Sequence, residues 1–157
     1  MITLRTNALI RLPANRKGAA AVECALVAPL LVLITMGAID VGQFVNVAQF
    51  VNDASYEGAR RASSNTVTNE SEVKAAVLSY FSDQFPRASA GELDSALTVN
   101  VRDSSNAAIS NGDLTTIPSG SPVSVQVIFQ YNTIRWLSGF TGLNDRSLQT
   151  TTVMRRE

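Results

Sequence analysis

The sequence predicts an α+β protein: one long N-terminal helix, transmembrane and then amphipathic, a second helix, and a small antiparallel β-sheet packed on the long helix. Three observations carry this. An uncharged run, Cys24–Ile39, stands near the start of the 157 residues. Past Asp40, apolar and small residues recur every three or four positions as far as Ser63. From Leu97 onward the pattern changes to alternation, cleanest in PVSVQVIFQYN (122–132).

The long helix is expected from about Ala20 to Ser63. In its second half Val41, Phe44, Ala48, Val51, Ser55, Gly58 and Ala62 form the stripe that meets the head. SNTVTN (64–69) breaks the pattern. Asn69 is placed to cap the second helix, with Glu72 completing a capping box. Val73, Ala76, Val77, Tyr80 and Phe81 give that helix its buried stripe, and Pro86 ends it.

LTVNVRD (97–103) alternates and reads as the first strand, and SNAAISNGD (105–113) as turns. In 122–132, Val123, Val125, Val127, Phe129 and Tyr131 share one face, while the other carries Ser124, Gln126, Ile128 and Gln130. RSLQTTTVMR (146–155) is the last candidate strand. TIRWLSGFTGLN (133–144) is expected to be a loop or short helix whose Trp136, Leu137 and Phe140 cover one end of the sheet.

Composition excludes several kinds of chemistry. The chain has one cysteine, Cys24, and no histidine. No intramolecular disulfide can form, and cysteine–histidine zinc sites and histidine-dependent triads are ruled out. Ser104, Ser105, Ser119 and Ser121 therefore have no histidine base. Asp103, Asn106, Asn111 and Asp113 do not follow the order of a calcium loop and read as turn formers. No glycine-rich phosphate loop is present. The Gly58-Ala59-Arg60-Arg61 block reads as a tightly packed helix end with two solvated arginines. Arg155, Arg156 and Glu157 are expected to make surface ion pairs of little energetic weight. We expect no catalytic, cofactor or metal site, no small-molecule substrate, and a protein that is not an enzyme.

Net charge is formally zero, but its distribution is uneven. Residues 1–18 hold Arg5, Arg11, Arg16 and Lys17 and no acid, so all thirteen acids come later. No aromatic residues interleave with this basic head, which argues against nucleic acid as a partner. A basic head before an apolar run is instead a topology signal. Ala19–Ile39 is interrupted only by Glu23 and, at about 1.5 Å per residue, spans roughly 31 Å, close to a bilayer's hydrocarbon core. The positive-inside rule makes 1–18 a cytoplasmic leader, 19–39 a single transmembrane helix, and 40–157 an extracytoplasmic head that includes the rest of the long helix.

Simple signals fit poorly. A cleaved secretory signal would place Met36 at a position needing a small residue. A lipoprotein signal would be blocked by Glu23 directly before Cys24. A plain signal anchor fits, but leaves Glu23 and Gly18 unexplained. Pro29, inside the apolar run, should bend the helix at a cost that lipid-embedded helices tolerate.

A basic stretch, a glycine, four small or apolar residues, a glutamate and a long apolar run together resemble the processing site of a type IV-like prepilin. RKGAAAVECALVAPLLVL (16–33) resembles the opening of TadE-like pseudopilins (the TadE/TadG family) of the tight-adherence (Flp/Tad) pilus system. AQFVNDASYEGARRAS (48–63) and TTTVMRRE (150–157) are similar to two further family stretches, whereas 64–145 matches only loosely. Cys24 departs from the pattern, where the family usually has an aromatic residue.

The resemblance implies a pilin-like stalk and head. It also implies cleavage by a prepilin peptidase between Gly18 and Ala19, with Arg16 and Lys17 as the flanking positive charge. Glu23 would become the fifth residue of the mature chain and an assembly determinant. The implied partners are the membrane, the peptidase, other pilins or pseudopilins, and the pilus assembly platform. The implied location is a bacterial inner membrane or the pilus itself. The alternative is an uncleaved, single-pass envelope protein presenting a β-rich head to a partner.

Overall fold

The computed structural model describes residues 16–134 and 146–157. The chain divides into two units, Met1–Met36 and Gly37–Glu157. Helix α1 (Arg16–Ser63) runs through both. It starts four residues before the expected Ala20 and ends where expected.

In the first unit the described residues are all helix. Every residue from Gly18 to Thr35 is exposed, including Leu26 at 73% and Leu30 at 57%. Pro29 lies inside the helix and cannot donate a backbone hydrogen bond to the preceding turn. Thr35 Oγ1 donates to the Leu31 carbonyl at 2.7 Å, one turn back.

The second unit is the head. Its core joins the second half of α1 to helices α2 (Glu70–Gln84) and α3 (Ala90–Ala96) and to strands β1 (Leu97–Arg102), β2 (Pro122–Gln130) and β3 (Ser147–Arg155). The sheet order is β1-β2-β3, all antiparallel. Leu97, Val99 and Val101 from β1 and Val123, Val125, Val127 and Phe129 from β2 point into the core. Facing them are Val47, Val51 and Ala54 of α1 and Val73, Val77 and Phe81 of α2. Phe81 stacks on Phe129 with ring centroids 4.9 Å apart. The expected second-helix stripe is present, with Val73, Val77 and Phe81 fully buried and Ala76 and Tyr80 half-buried.

Several expectations need correction. Val41 is 49% exposed, and the neighbouring acid Asp40 takes the buried place. Asn69 is the N-cap of α2, but its side chain makes no capping bond. The capping box lies instead at α3, where Ser89 Oγ accepts from Glu92 N–H at 3.3 Å and the Glu92 carboxylate accepts from Ser89 N–H at 2.8 Å. No expectation covered α3, because seven residues hold too few turns to show a periodicity. Tyr131 belongs to a 3₁₀ turn after β2, though its ring stays in the core and meets Phe44 edge-on at 5.1 Å. Trp136, Leu137 and Phe140 lie outside the described residues.

Arg156 is the largest departure. It is 5% exposed, and its guanidinium donates to the carbonyls of Ala62 and Val67 at 3.1 Å each. It makes these bonds in place of an expected surface ion pair. Glu157 N–H adds a bond to the Ser63 carbonyl at 2.8 Å. A helix leaves its last carbonyls without intrahelical donors. Arg156 and Glu157 supply donors at the end of α1, where a positive charge also meets the favourable end of the helix dipole.

The stalk helix as candidate functional site

The residues singled out by the sequence fall on the first two turns of α1. Arg16 and Lys17 are its opening residues, with no acid in the first turn. Cations there oppose the helix dipole, so the backbone gains nothing from them electrostatically. Gly18, Ala19 and Glu23 follow, all exposed. The Gly18–Ala19 peptide bond is therefore helical and open on its side-chain surface.

Helical spacing decides which of these residues meet. Glu23 lies four residues after Ala19, so the two share a face one turn apart. Arg16 and Lys17 precede Glu23 by seven and six residues. Among the described residues, Glu23 forms no salt bridge. Cys24 is a free, exposed cysteine.

Beyond Glu23 the helix carries the apolar load. It is the one helix among the described residues long and apolar enough to cross a membrane, and none of its most apolar window is buried. Farther along, the Gly58 block packs as expected. Gly58 is buried, and a Cβ there would lie 2.8 Å from Val77 Cγ2 and 3.2 Å from Val125 Cγ1. Arg60 and Arg61 are exposed, and Arg61 Nε bonds to Glu57 Oε1 at 3.1 Å.

The head offers little machinery for catalysis. One of its cavities, about 460 Å³, is lined by Gln43, Phe85, Pro86, Arg87, Glu92 and Ile134 among others. It holds no nucleophile–base pair. Gln43 Oε1 is buried there without a hydrogen-bond partner, and the cavity's acid, Glu92, is engaged in the α3 cap. No cluster of three or more potential metal ligands occurs among the described residues.

Asp103 and Asp113 are turn formers, as their sequence context indicates. Asp103 Oδ1 accepts from Ser105 N–H, Ser105 Oγ and Ala107 N–H at 2.7–2.9 Å. Asp113 Oδ1 accepts from Thr115 N–H and Oγ1. These bonds favour the ionised forms and hold both carboxyls below the usual aspartate range.

Sequence reasoning missed Asp40. It follows the apolar run, yet it is fully buried in the head, and the Tyr131 hydroxyl approaches its carbonyl at 3.5 Å. Its sequence signal was weak, since an acid directly after an apolar run reads as a boundary marker.

Neither a curated protein nor a solved structure matches the chain. Residues 18–60, from the glycine before the apolar run to the last turn of α1, match the family model described as TadE-like protein, so this stretch of the chain is similar to that family.

Proposed function

We propose that the protein is a minor pseudopilin, a structural component of a tight-adherence pilus or a related secretion machine. The observation that carries this reading is the TadE-like match, which begins at Gly18 and takes in the whole apolar run. The chain inserts through residues 19–39 as a single-pass inner-membrane precursor, with 1–18 cytoplasmic and 40–157 outside. A prepilin peptidase cuts between Gly18 and Ala19, and the mature subunit meets other pilins and the assembly platform.

The geometry of α1 gives these steps a physical rationale. Arg16 and Lys17 sit at the helix end least favourable for cations, which makes the first turn easy to unwind for a protease. Cleavage then creates an amine on Ala19. Glu23, one turn away, can pair with that amine in the same chain or with a neighbour's. A carboxylate in mid-bilayer costs roughly 3 kcal/mol, and a mis-staggered subunit would leave it uncompensated. The pair thus acts as a register mark for assembly.

Co-expression with a prepilin peptidase tests the reading. The expected mature N-terminus by mass spectrometry is Ala19, and Gly18→Leu should abolish the cut. An intact Met1 with an active peptidase present overturns it. One observation favours the alternative of an uncleaved, membrane-anchored interaction protein: Gly18 and Ala19 lie within a continuous helix, a conformation proteases do not cut without unwinding.

A further inference from the structure

The two edges of the sheet differ. On β1 the outer edge is covered. The Glu70 carboxylate accepts Val101 N–H at 3.2 Å, Arg102 forms a bridge with Ala108, and the start of α2 lies beside Val99. Among the described residues, nothing pairs with the outer edge of β3.

The β2 pairing fixes which β3 groups are committed. Tyr131 N–H donates to the Arg146 carbonyl, and Arg156 N–H donates to the Ser121 carbonyl. In this antiparallel register the even-numbered residues of β3 direct their backbone groups to β2. Ser147, Gln149, Thr151, Val153 and Arg155 therefore direct N–H and C=O outward. Those groups find no backbone partner among the described residues. Of the usual protections of an edge, β3 carries one charge, Arg155 at its end, but no proline or lysine, and its register runs unbroken.

We propose that the β3 edge accepts an extended strand from a different extracytoplasmic protein, neutral and β-branched in its middle and acidic toward both ends. Charge sets the ends. Arg146 and Arg155 are exposed, form no salt bridge among the described residues, and flank the uncharged stretch 147–154, roughly 30 Å apart. The neutral, apolar stretch between the ends is set by the half-buried face Leu148, Thr150, Thr152 and Met154, of which Leu148 and Met154 lean on the core, so apolar side chains on an added strand would cover its open flank.

A second copy does not fit this edge. β3 runs in the same direction as α1, since Asn52 bonds to Thr150, Ser55 to Thr152 and Ala62 to Arg156. An antiparallel two-fold pairing would reverse α1 in the second copy, which one membrane forbids. A two-fold along the strands would set each outward residue level with itself, whereas a parallel ladder needs an offset of one residue. A head-to-tail copy would present its covered β1 edge. This exclusion rests on the membrane-anchored reading above.

The test is amide exchange by NMR on the full chain in detergent micelles. The probe is a capped peptide, Glu-Val-Thr-Val-Thr-Val-Thr-Val-Thr-Glu, which in an antiparallel register sets its acids opposite Arg155 and Arg146 and its valines opposite Met154, Thr152, Thr150 and Leu148, with a lysine-ended counterpart as control. The acidic peptide should slow exchange at Gln149, Thr151 and Val153 by about tenfold or more. Thr151→Pro, which deletes one outward N–H and spares the β2 ladder, should abolish that protection while the Thr150 and Thr152 amides stay slow. Arg155→Glu should weaken the effect even if the proline variant does not fold. Protection by neither peptide, or by both equally, overturns the proposal. So does protection without peptide that rises with protein concentration, which would assign the edge to a second copy. None of these readouts depends on the mature N-terminus, so the two proposals fail separately.

Discussion

Gly58 has no room for a methyl group. Its would-be Cβ is 2.8 Å from a Val77 methyl and 3.2 Å from one on Val125, and both valines are fully buried. Gly58→Ala gains helix propensity but overpacks the core, so we expect a net loss of about 1–3 kcal/mol in chemical denaturation. Arg156 serves the opposite role, supplying donors where a helix end lacks them. Arg156→Met keeps much of the side-chain volume but orphans two carbonyls, and should cost about 2–3 kcal/mol. The carboxylates of Asp103 and Asp113 titrate below the ordinary aspartate range because hydrogen bonds from Ser105 and Thr115 hold them ionised. A pKa lower in the folded than in the unfolded chain stabilises the fold above the unfolded value and ceases to do so as pH falls through the folded one. Thermal midpoints should therefore drop below about pH 4, and Asp103→Asn should flatten that drop.

At the scale of elements, legibility followed length and period. α1 and β2 were readable because each repeats its pattern many times, 48 residues for the helix and 9 for the strand. β3 was readable as a strand, but its weak alternation hid which face is bare. α3 is the counterexample: its 7 residues show no period, and its one strong signal was the Ser89–Glu92 spacing. The same spacing at Asn69–Glu72 attracted the capping assignment, but at Asn69 the amide donates to Thr68 Oγ1 instead. Ser89→Ala should cost about 1 kcal/mol and loosen α3 in amide exchange, whereas Asn69→Ala should cost much less. The role of Arg156 was not legible at all, because the residues it joins are 89 and 94 positions away in sequence.

For the whole molecule, the apolar segment and the head differ in what they bury. Residues 18–35 expose their apolar side chains, whereas the head buries its own around Phe81, Phe129 and Leu93. Phe81→Ala should cost about 3–5 kcal/mol in the head. Its far-UV and near-UV signals should melt at lower temperature while membrane insertion persists. Glu23→Leu should do the reverse: insertion and the melting of the head stay unchanged, while recovery in sheared pilus fractions falls severalfold. The β3 edge was not legible in the sequence, because an edge exists only once strands are ordered.

The arginine that closes the end of α1 also sets a timetable. The ribosome delivers the stalk helix first and the residues that terminate it almost a hundred positions later. Until then the apolar side of Val47–Ala62 lacks its last strand, and the head stays unclosed. A product truncated before β3 should therefore keep that side open and be cut faster by limited proteolysis than the full chain.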